Sequence, residues 1–403
     1  MEYIQYSPDM SFTEVPYRVF DCDMHLYEGV DAFTRHLPEE YAGQFRIADV
    51  DGRRKVIIRG RVSDYIPNPS FEVVAAPASG MEYFSGRNTS GKSFREIVVP
   101  MRAIPEFTDA QKRVELLDRM HIDAIVNFPT LASVIEVNFM DDPVASAALV
   151  HSYNQWLHDE WGFDYAGRIF TTPVMNLSIP ELAVQELEWA LERGAKTVLV
   201  RPAPVAGWSA TRSPFLPDND AFWARIQEAN IPVMLHSSDS GYQRYANEWL
   251  GIKGEFFPFK PDVFSIMSTK SRAIQDSLFS AIGHGMLSRF PGVRLASIEN
   301  GSDWISVLKS KLLDAYGKLP QEFAEHPLDT LARALWIAPY WEDPMDPLVD
   351  AIGIEHVLFN SDWPHPEGLA DPNSYIGFAK EANIADADIE KIMGENMFQL
   401  ISV

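Results

Sequence analysis

The chain is poor in cysteine and in positive charge. A single cysteine, Cys22, stands among 403 residues. That excludes an intramolecular disulfide framework and a metal site built from thiolates alone. Lysine and arginine number 34 against 57 aspartates and glutamates, for a formal net charge of −23. A chain so balanced lacks the positive footprint that nucleic acid or an anionic membrane surface requires. No apolar run reaches the roughly 18–20 residues of a membrane span. Met1 to Pro16 is polar and acidic, with neither a basic start nor an apolar stretch, so no signal peptide is expected there. Hydrophobic residues make up 46%, enough for an ordinary globular core. The expectation is a cytoplasmic protein acting on a small molecule, with no nucleic-acid or membrane partner.

Eight short apolar runs read as buried parallel strands: Arg18–Met24, Ala124–Phe128, Ile169–Met175, Thr197–Arg201, Pro232–His236, Arg294–Ile298, Leu335–Ala338 and His356–Asn360. Helical patterns lie between them, at Asp109–Met120, Asp142–Trp161, Ile179–Arg193, Asp218–Ala229, Ser277–Phe290, Trp304–Tyr316, His326–Ala334 and Asp346–Gly353, with Asp386–Phe398 closing the chain. Strict alternation of strand and helix predicts an α/β fold of the (β/α)8 TIM-barrel type, spanning 1–403 as one domain. No GxGxxG follows the first strand, which removes the best-known nucleotide-binding form of the rival open sheet.

Two stretches break the rhythm. Residues 29–108 are expected to form an inserted cap over the barrel mouth. Within them Lys55–Ile58 and Arg61–Tyr65 flank Arg59-Gly60 as a hairpin that Pro67–Ser70 ends. Residues Ser237–Ser277, after the fifth strand, carry Tyr242, Tyr245, Trp249, Phe256, Phe257 and Phe259, with glycines at 241, 251 and 254. Such a loop serves either as a lid or substrate wall, or as a surface loop with its own aromatic cluster.

Four motifs fall at C-terminal strand ends, where barrel enzymes place their chemistry. Asp21-Cys22-Asp23-Met24-His25 ends the first strand. Period-two alternation points Asp23 and His25 the same way, adds Asp21 if the strand continues, and turns Cys22 into the core. A carboxylate and an imidazole on one face are natural metal ligands. His236 ends the fifth strand, Glu299-Asn300-Gly301 follows the sixth, and Ser361-Asp362-Trp363-Pro364-His365 follows the eighth. Each fragment alone has a plainer reading: a chance D-x-H, a core histidine, an Asx-turn. Their convergence on one pore favours a metal. Arg201, ending the fourth strand, is a candidate bidentate partner for a substrate carboxylate or oxyanion, or else a rim salt bridge. His365 is a candidate to orient Asp362 or to bind substrate. His284 is a candidate catalytic group, with a loop-capping role the favoured reading.

The first-strand D-x-D-x-H, the fifth-strand histidine, FPGVRLASIENGSDW and VLFNSDWPHPEG resemble the amidohydrolase superfamily, in its amidohydrolase-related (Amidohydro_2) branch. That branch includes aminocarboxymuconate semialdehyde decarboxylase, γ-resorcylate decarboxylase and 5-carboxyvanillate decarboxylase. The likeness runs from about Tyr17 to Leu400. It implies a divalent ion, Zn2+ first and Mn2+ or Fe2+ as alternatives, one or two per chain. It implies Asp23, His25, His236 and Asp362 as ligands, with Glu299 as a ligand to a second ion or a partner to bound water. Asp23 stands where many members have His or Glu. The fourth strand, Thr197 to Pro202, lacks the lysine that bridges two metals in binuclear relatives.

The resemblance implies a hydrolase in which Asp362, assisted by Glu299, moves the proton of an attacking water, cleaving an amide, ester, lactone or thioester of a bulky apolar substrate. The alternative is a non-oxidative decarboxylase of an aromatic or enoic acid, in which Asp362 protonates the carbon losing CO2. Glu299, where decarboxylases often carry histidine, would repel a substrate carboxylate and tilts the reading to hydrolysis. Barrels of this kind are commonly dimers, so a homodimer is a candidate assembly.

Overall fold

A computed structural model describes residues 11–402 except 64, 66, 67, 133, 134, 208 and 254–261. Thirteen strands occur among them: β1 (Phe20–His25), β2 (Phe45–Val50), β3 (Arg53–Ile58), β4 (Arg61–Ser63), β5 (Val73–Ala75), β6 (Pro100–Arg102), β7 (Ala124–Phe128), β8 (Ile169–Thr171), β9 (Val174–Met175), β10 (Val198–Val200), β11 (Val233–His236), β12 (Leu295–Ile298) and β13 (Leu335–Ile337). Two sheets are parallel, ordered β1-β7-β8 and β13-β12-β11-β10-β9, with helices between successive strands. This is a parallel α/β fold. Its strands are buried along almost their whole length, which is why they read as continuous apolar runs rather than alternating ones.

The expected strand Ile169–Met175 is split. Pro173 has no N–H to give a ladder. Before it, Thr172 N–H bonds to Asn127 O (3.1 Å), continuing the pairing with β7; Pro173 O itself accepts from Leu199 N–H (2.9 Å), on the β10 side. The two parallel sheets are thus neighbours through one run of chain. The expected strand His356–Asn360 forms no regular ladder. Val357 bridges Ile337, and Trp363 bridges Met24, each singly. Four backbone bonds still hold this segment on both sides: Leu358 N–H to Ile337 O (2.9 Å), Cys22 N–H to Phe359 O (3.0 Å), Asp362 N–H to Asp23 O (2.9 Å) and His25 N–H to Trp363 O (2.8 Å). The 3-10 turn Ile354–His356 takes the start of this run, and the left-handed backbone of Asp362 (φ 54°) ends its extended conformation.

The helices begin and end where their capping residues dictate. Asp109 and Asp142 accept the N–H of Lys112 and Ala145 at the starts of Ala110–Met120 and Pro143–Trp161. Prolines 143, 180 and 327 occupy first-turn positions, where a missing N–H is harmless. Two expected helices differ: the closing one, Asp386–Phe398, has a π-helical turn at Lys391–Glu395 and runs on to Ile401. Instead of Ser277–Phe290 there are Arg272–Gly283 and Met286–Arg289, separated by left-handed Gly285. Among the described residues no helix is long and apolar enough to cross a membrane.

Within 29–108 the hairpin β3–β4 is present, with Arg59 and Gly60 both at positive φ as a two-residue turn of this kind requires. It gains a third antiparallel strand, β2, joined through Asp51-Gly52 at the same turn geometry. Pro67 lies outside the described residues. Part of this region meets the loop after Asp362: Ala78 N–H bonds to His365 O (3.4 Å) and Gly80 N–H to Pro366 O (2.8 Å). The segment after β11 holds two short helices, Gln243–Leu250 and Val263–Thr269. Tyr245, Trp249 and Phe264 pack on one another there, and Trp249 is largely exposed, so these described aromatics form a surface cluster. Gly254, Phe256, Phe257 and Phe259 lie outside the described residues.

Candidate metal centre

Register brings the site together. In the parallel pair β11–β12, His236 lies opposite Ile298, so Glu299 is one residue further along the neighbouring strand end. Met24 faces Trp363, so Asp362 lies beside Asp23. β1 pairs with β7 through an irregularity between Asp21 and Met24, of the kind that re-aims side chains near active sites.

Five side chains converge. His25 Nε2 lies 3.2 Å from His236 Nε2, 3.3 Å from Asp23 Oδ1 and 3.4 Å from Asp362 Oδ1. His236 Nε2 lies 3.4 Å from Asp23 Oδ1 and 3.3 Å from Glu299 Oε2. Asp23, His25, His236 and Asp362 are buried, and Glu299 is the partly exposed member, its side chain retaining 20% of its surface.

The hydrogen-bond accounting shows what this cluster lacks. His25 Nδ1 faces Pro129 O at 3.2 Å, and His236 Nδ1 faces Ser237 O at 2.7 Å. A carbonyl only accepts, so each Nδ1 carries a proton and each ring turns its Nε2 inward. Both Asp23 oxygens are buried without a hydrogen-bond donor. Burial, reinforced by His365, pushes His25 down to about 3, so it is neutral. Burial also lowers His236, but Asp23 and Glu299 outweigh it and leave that ring raised. Burial alone would raise the Asp23 carboxyl, yet the two imidazoles hold it below the usual carboxylate range. The cluster draws positive charge to one point. A proton on His236 Nε2 can serve a single neighbour, whereas His25 Nε2, Asp23 Oδ1 and Glu299 Oε2 all lie within 3.4 Å of it.

The spacing fits a cation. A tetrahedral ion with ligand bonds of about 2.0–2.1 Å holds its ligand atoms about 3.3–3.4 Å apart. Asp23, His25 and His236 form one such group, and ligand atoms of His25, Asp362 and His365 lie within 4.8 Å of one another beside it.

A third group, Glu299, Asp362 and Glu367, brings three carboxyls together. Glu367 was not among the residues expected from sequence, although it stands in the quoted His365-Pro366-Glu367 run. Burial raises all three carboxyls. Glu367 raises Asp362 further, Asp362 raises Glu299, and His365 partly offsets the effect at Glu367. His365 Nδ1 pairs with Asp362 Oδ1 at 2.8 Å, its ring 4.0 Å from that of His25. Glu299 and Asp362 both sit at φ 54°, a strained conformation for residues with side chains. Gly368 makes room for this loop: a Cβ there would stand 2.3 Å from Ser361 O and 2.8 Å from Asp362 O.

Three expected residues fall elsewhere. Asp21 does not join the cluster. Its Oδ1 accepts the N–H groups of Asp23 (3.1 Å) and Ser361 (3.0 Å). Burial pushes its carboxyl up to about 8, against those hydrogen bonds. The folded state therefore holds a proton that the unfolded chain has lost above its usual value of 3.8, so stability falls as pH rises from about 4 through 8. Asp21→Asn keeps the accepting oxygen and removes the ionisation. Its melting temperature relative to the parent is expected to rise between pH 5 and pH 8, and an unchanged difference would refute the assignment.

His284 is exposed at the end of helix Arg272–Gly283, with Nδ1 2.9 Å from Ser280 Oγ. It precedes β12, so it belongs to the opposite end of that strand from Glu299 and stands outside the cluster. Arg201 is buried. Its Nε lies 3.4 Å from Glu136 Oε2, Nη1 donates to Asp239 O (3.1 Å), and Nη2 donates to Pro204 O (3.0 Å) with Met140 Sδ 3.5 Å away. It ties three loops together by an internal ion pair. Cys22 is buried in the core, where burial pushes its thiol up.

Comparison with known proteins places the chain. The Amidohydrolase family profile matches residues 20–396. An amidohydrolase from Mycobacterium avium subsp. paratuberculosis K-10 is 38% identical, with a TM-score of 0.91 over 96% of this chain and 100% of that one. The chain belongs to the amidohydrolase family. At lower identity the fold also matches two decarboxylases. One is 5-carboxyvanillate decarboxylase from Novosphingobium aromaticivorans DSM 12444, complexed with manganese and a nitrobenzoic acid (14% identity, TM-score 0.60, 96% of this chain and 97% of that one). The other is dihydroxybenzoic acid decarboxylase from Polaromonas sp. JS666, with manganese and 2-nitroresorcinol bound (16%, 0.57, 81% and 94%). No curated protein matches the sequence.

Proposed function

We propose that this protein is a divalent-metal-dependent hydrolase acting on an uncharged carbonyl compound, an amide, ester, lactone or thioester with a bulky apolar part. In this reading the parallel strands and the 357–363 segment close into an eight-stranded barrel, and residues 29–108 cap its mouth. Asp23, His25, His236 and Asp362 hold the ion, with Glu299 beside His236. The observation that carries the reading is the pair of inward Nε2 atoms 3.2 Å apart, 3.3 and 3.4 Å from the buried Asp23 carboxylate. When bound, such an ion supplies Lewis acidity, polarising a carbonyl oxygen and making water acidic near neutral pH. Asp362 takes the proton from the attacking water and returns it to the leaving group, with its Oδ1 held by His365.

Hydrolysis is favoured over decarboxylation by charge. The converging groups are carboxyls and imidazoles, and Arg201, the expected clamp for a substrate carboxylate, is occupied by Glu136 and main-chain oxygens. A second reading, non-oxidative decarboxylation, draws support from the raised Asp362 carboxyl, a group suited to giving a proton to carbon. A panel of esters, lactones, amides, thioesters and aromatic acids, assayed in parallel for released acid or thiol and for CO2, separates them. Acid or thiol release is expected. CO2 from an aromatic acid would replace the hydrolase reading with the second.

A further inference from the structure

The loop after β7 touches the site twice. Pro129 O faces His25 Nδ1 at 3.2 Å, and Thr130 Oγ1 lies 3.2 Å from His365 Nε2, the ring that holds Asp362. Both contacts require this loop at one height above the strand ends. A side chain from the continuation of β1 sets that height. Glu28 Oε1 accepts three successive backbone N–H groups, those of Thr130 (3.0 Å), Leu131 (2.6 Å) and Ala132 (3.1 Å). Consecutive amides turned toward one point make an anion-binding concavity, and here the anion is a carboxylate of the same chain. Glu28 is only 2% exposed. Thr130 Oγ1 donates to Leu26 O at 2.8 Å, so the residues just past His25 grip the loop at two points. Glu28 lies 102–104 residues from the amides it binds.

We propose that Glu28 is a positioning residue for the metal centre, and this rests on the site reading above. By fixing the 129–132 loop it holds Pro129 O against His25, which keeps the proton on Nδ1 and the lone pair on Nε2. The same loop keeps Thr130 against His365 and so steadies the ring that holds Asp362. One buried carboxylate thereby serves two imidazoles with different tasks, a ligand and the partner of the acid–base group. Neighbours of this kind typically tune metal affinity by about 10- to 100-fold.

The test uses the full-length chain as Glu28→Ala, which leaves three amides without their acceptor, and Glu28→Gln, which keeps an acceptor but not the charge. Mn2+ and Zn2+ affinities are measured by calorimetry. The tautomers of His25 and His365 are read from 15N imidazole shifts in the metal-free protein. Glu28→Ala is expected to weaken metal binding about 10- to 100-fold and to move His25 toward a mixture of tautomers. Glu28→Gln is expected to lie between it and the parent on both readouts. If Glu28→Ala does not fold, Glu28→Gln carries the test alone, with a weaker affinity and a shifted His25 tautomer expected. Parental affinity and an unmoved His25 tautomer in the folded variants would overturn the proposal. If the parent binds neither ion, the metal reading fails, while the tautomer shift in the metal-free variants still decides the role of Glu28.

Discussion

Replacing His25 and His236 together by alanine is expected to reduce bound divalent metal from one or two ions per chain to near zero, measured by elemental analysis after loading and gel filtration. The size of the effect follows from the geometry. These two rings supply the inward Nε2 atoms, 3.2 Å apart, and the other three converging side chains, Asp23, Asp362 and Glu299, are carboxyls. Without them the site is a group of buried acids, which take up protons in place of a cation. The circular dichroism spectrum is expected to survive, because the rings sit at strand ends and the strands pack through Met24, Leu235 and their neighbours. Retention of stoichiometric metal by the double variant would sink the assignment, as would full activity of the parent after complete metal removal.

The second large effect is expected at Asp362. Asp362→Asn keeps an acceptor for His365 but cannot take a proton from water. Turnover is expected to fall about 10²- to 10⁴-fold, the usual worth of a positioned acid–base group, with KM changing far less. Metal content is expected to persist, since Asp23, His25 and His236 remain. Steady-state kinetics on the substrate found in the panel, with metal content measured on the same sample, separates loss of proton transfer from loss of the ion. A variant within tenfold of the parent would remove Asp362 from that role.

Much of this could be read from the chain because the information is local. β7, β11 and β12 appear where short Val, Ile and Leu runs predict them, and the helix starts follow from aspartates and prolines at fixed offsets. The convergence of Asp23, His25, His236, Glu299 and Asp362 follows from strand ends alone. Other features were hidden for identifiable reasons. β2 was missed although Asp51-Gly52 is the same turn signal as Arg59-Gly60; its partly exposed strand lacks an apolar run. The 357–363 segment has strand-like composition, but the backbone turn that presents Asp362 ends its extended conformation. His284 is a site candidate by residue type, but its place before β12 puts it at the opposite strand end, where it closes helix Arg272–Gly283. Glu28 gives no local signal, since its meaning lies in three amides more than 100 residues away. Arg201 reads equally well as a clamp or as an internal ion pair until Glu136 is seen beside it.

The closing segment also sets a timetable. Ser361 N–H bonds to Asp21 across 340 residues of sequence, and Asp362 must lie beside Asp23 before the cluster exists. At synthesis rates of about 5–20 residues per second, β1 waits roughly 15 to 70 seconds for that partner. During this time one edge of β1 can pair with β7, while its other edge and its buried acids have nothing to hold them. The nascent protein thus passes this interval with the site half built and one strand edge open, a state suited to capture by chaperones. Metal loading through all four proposed ligands must wait until Asp362 has been made and has reached Asp23.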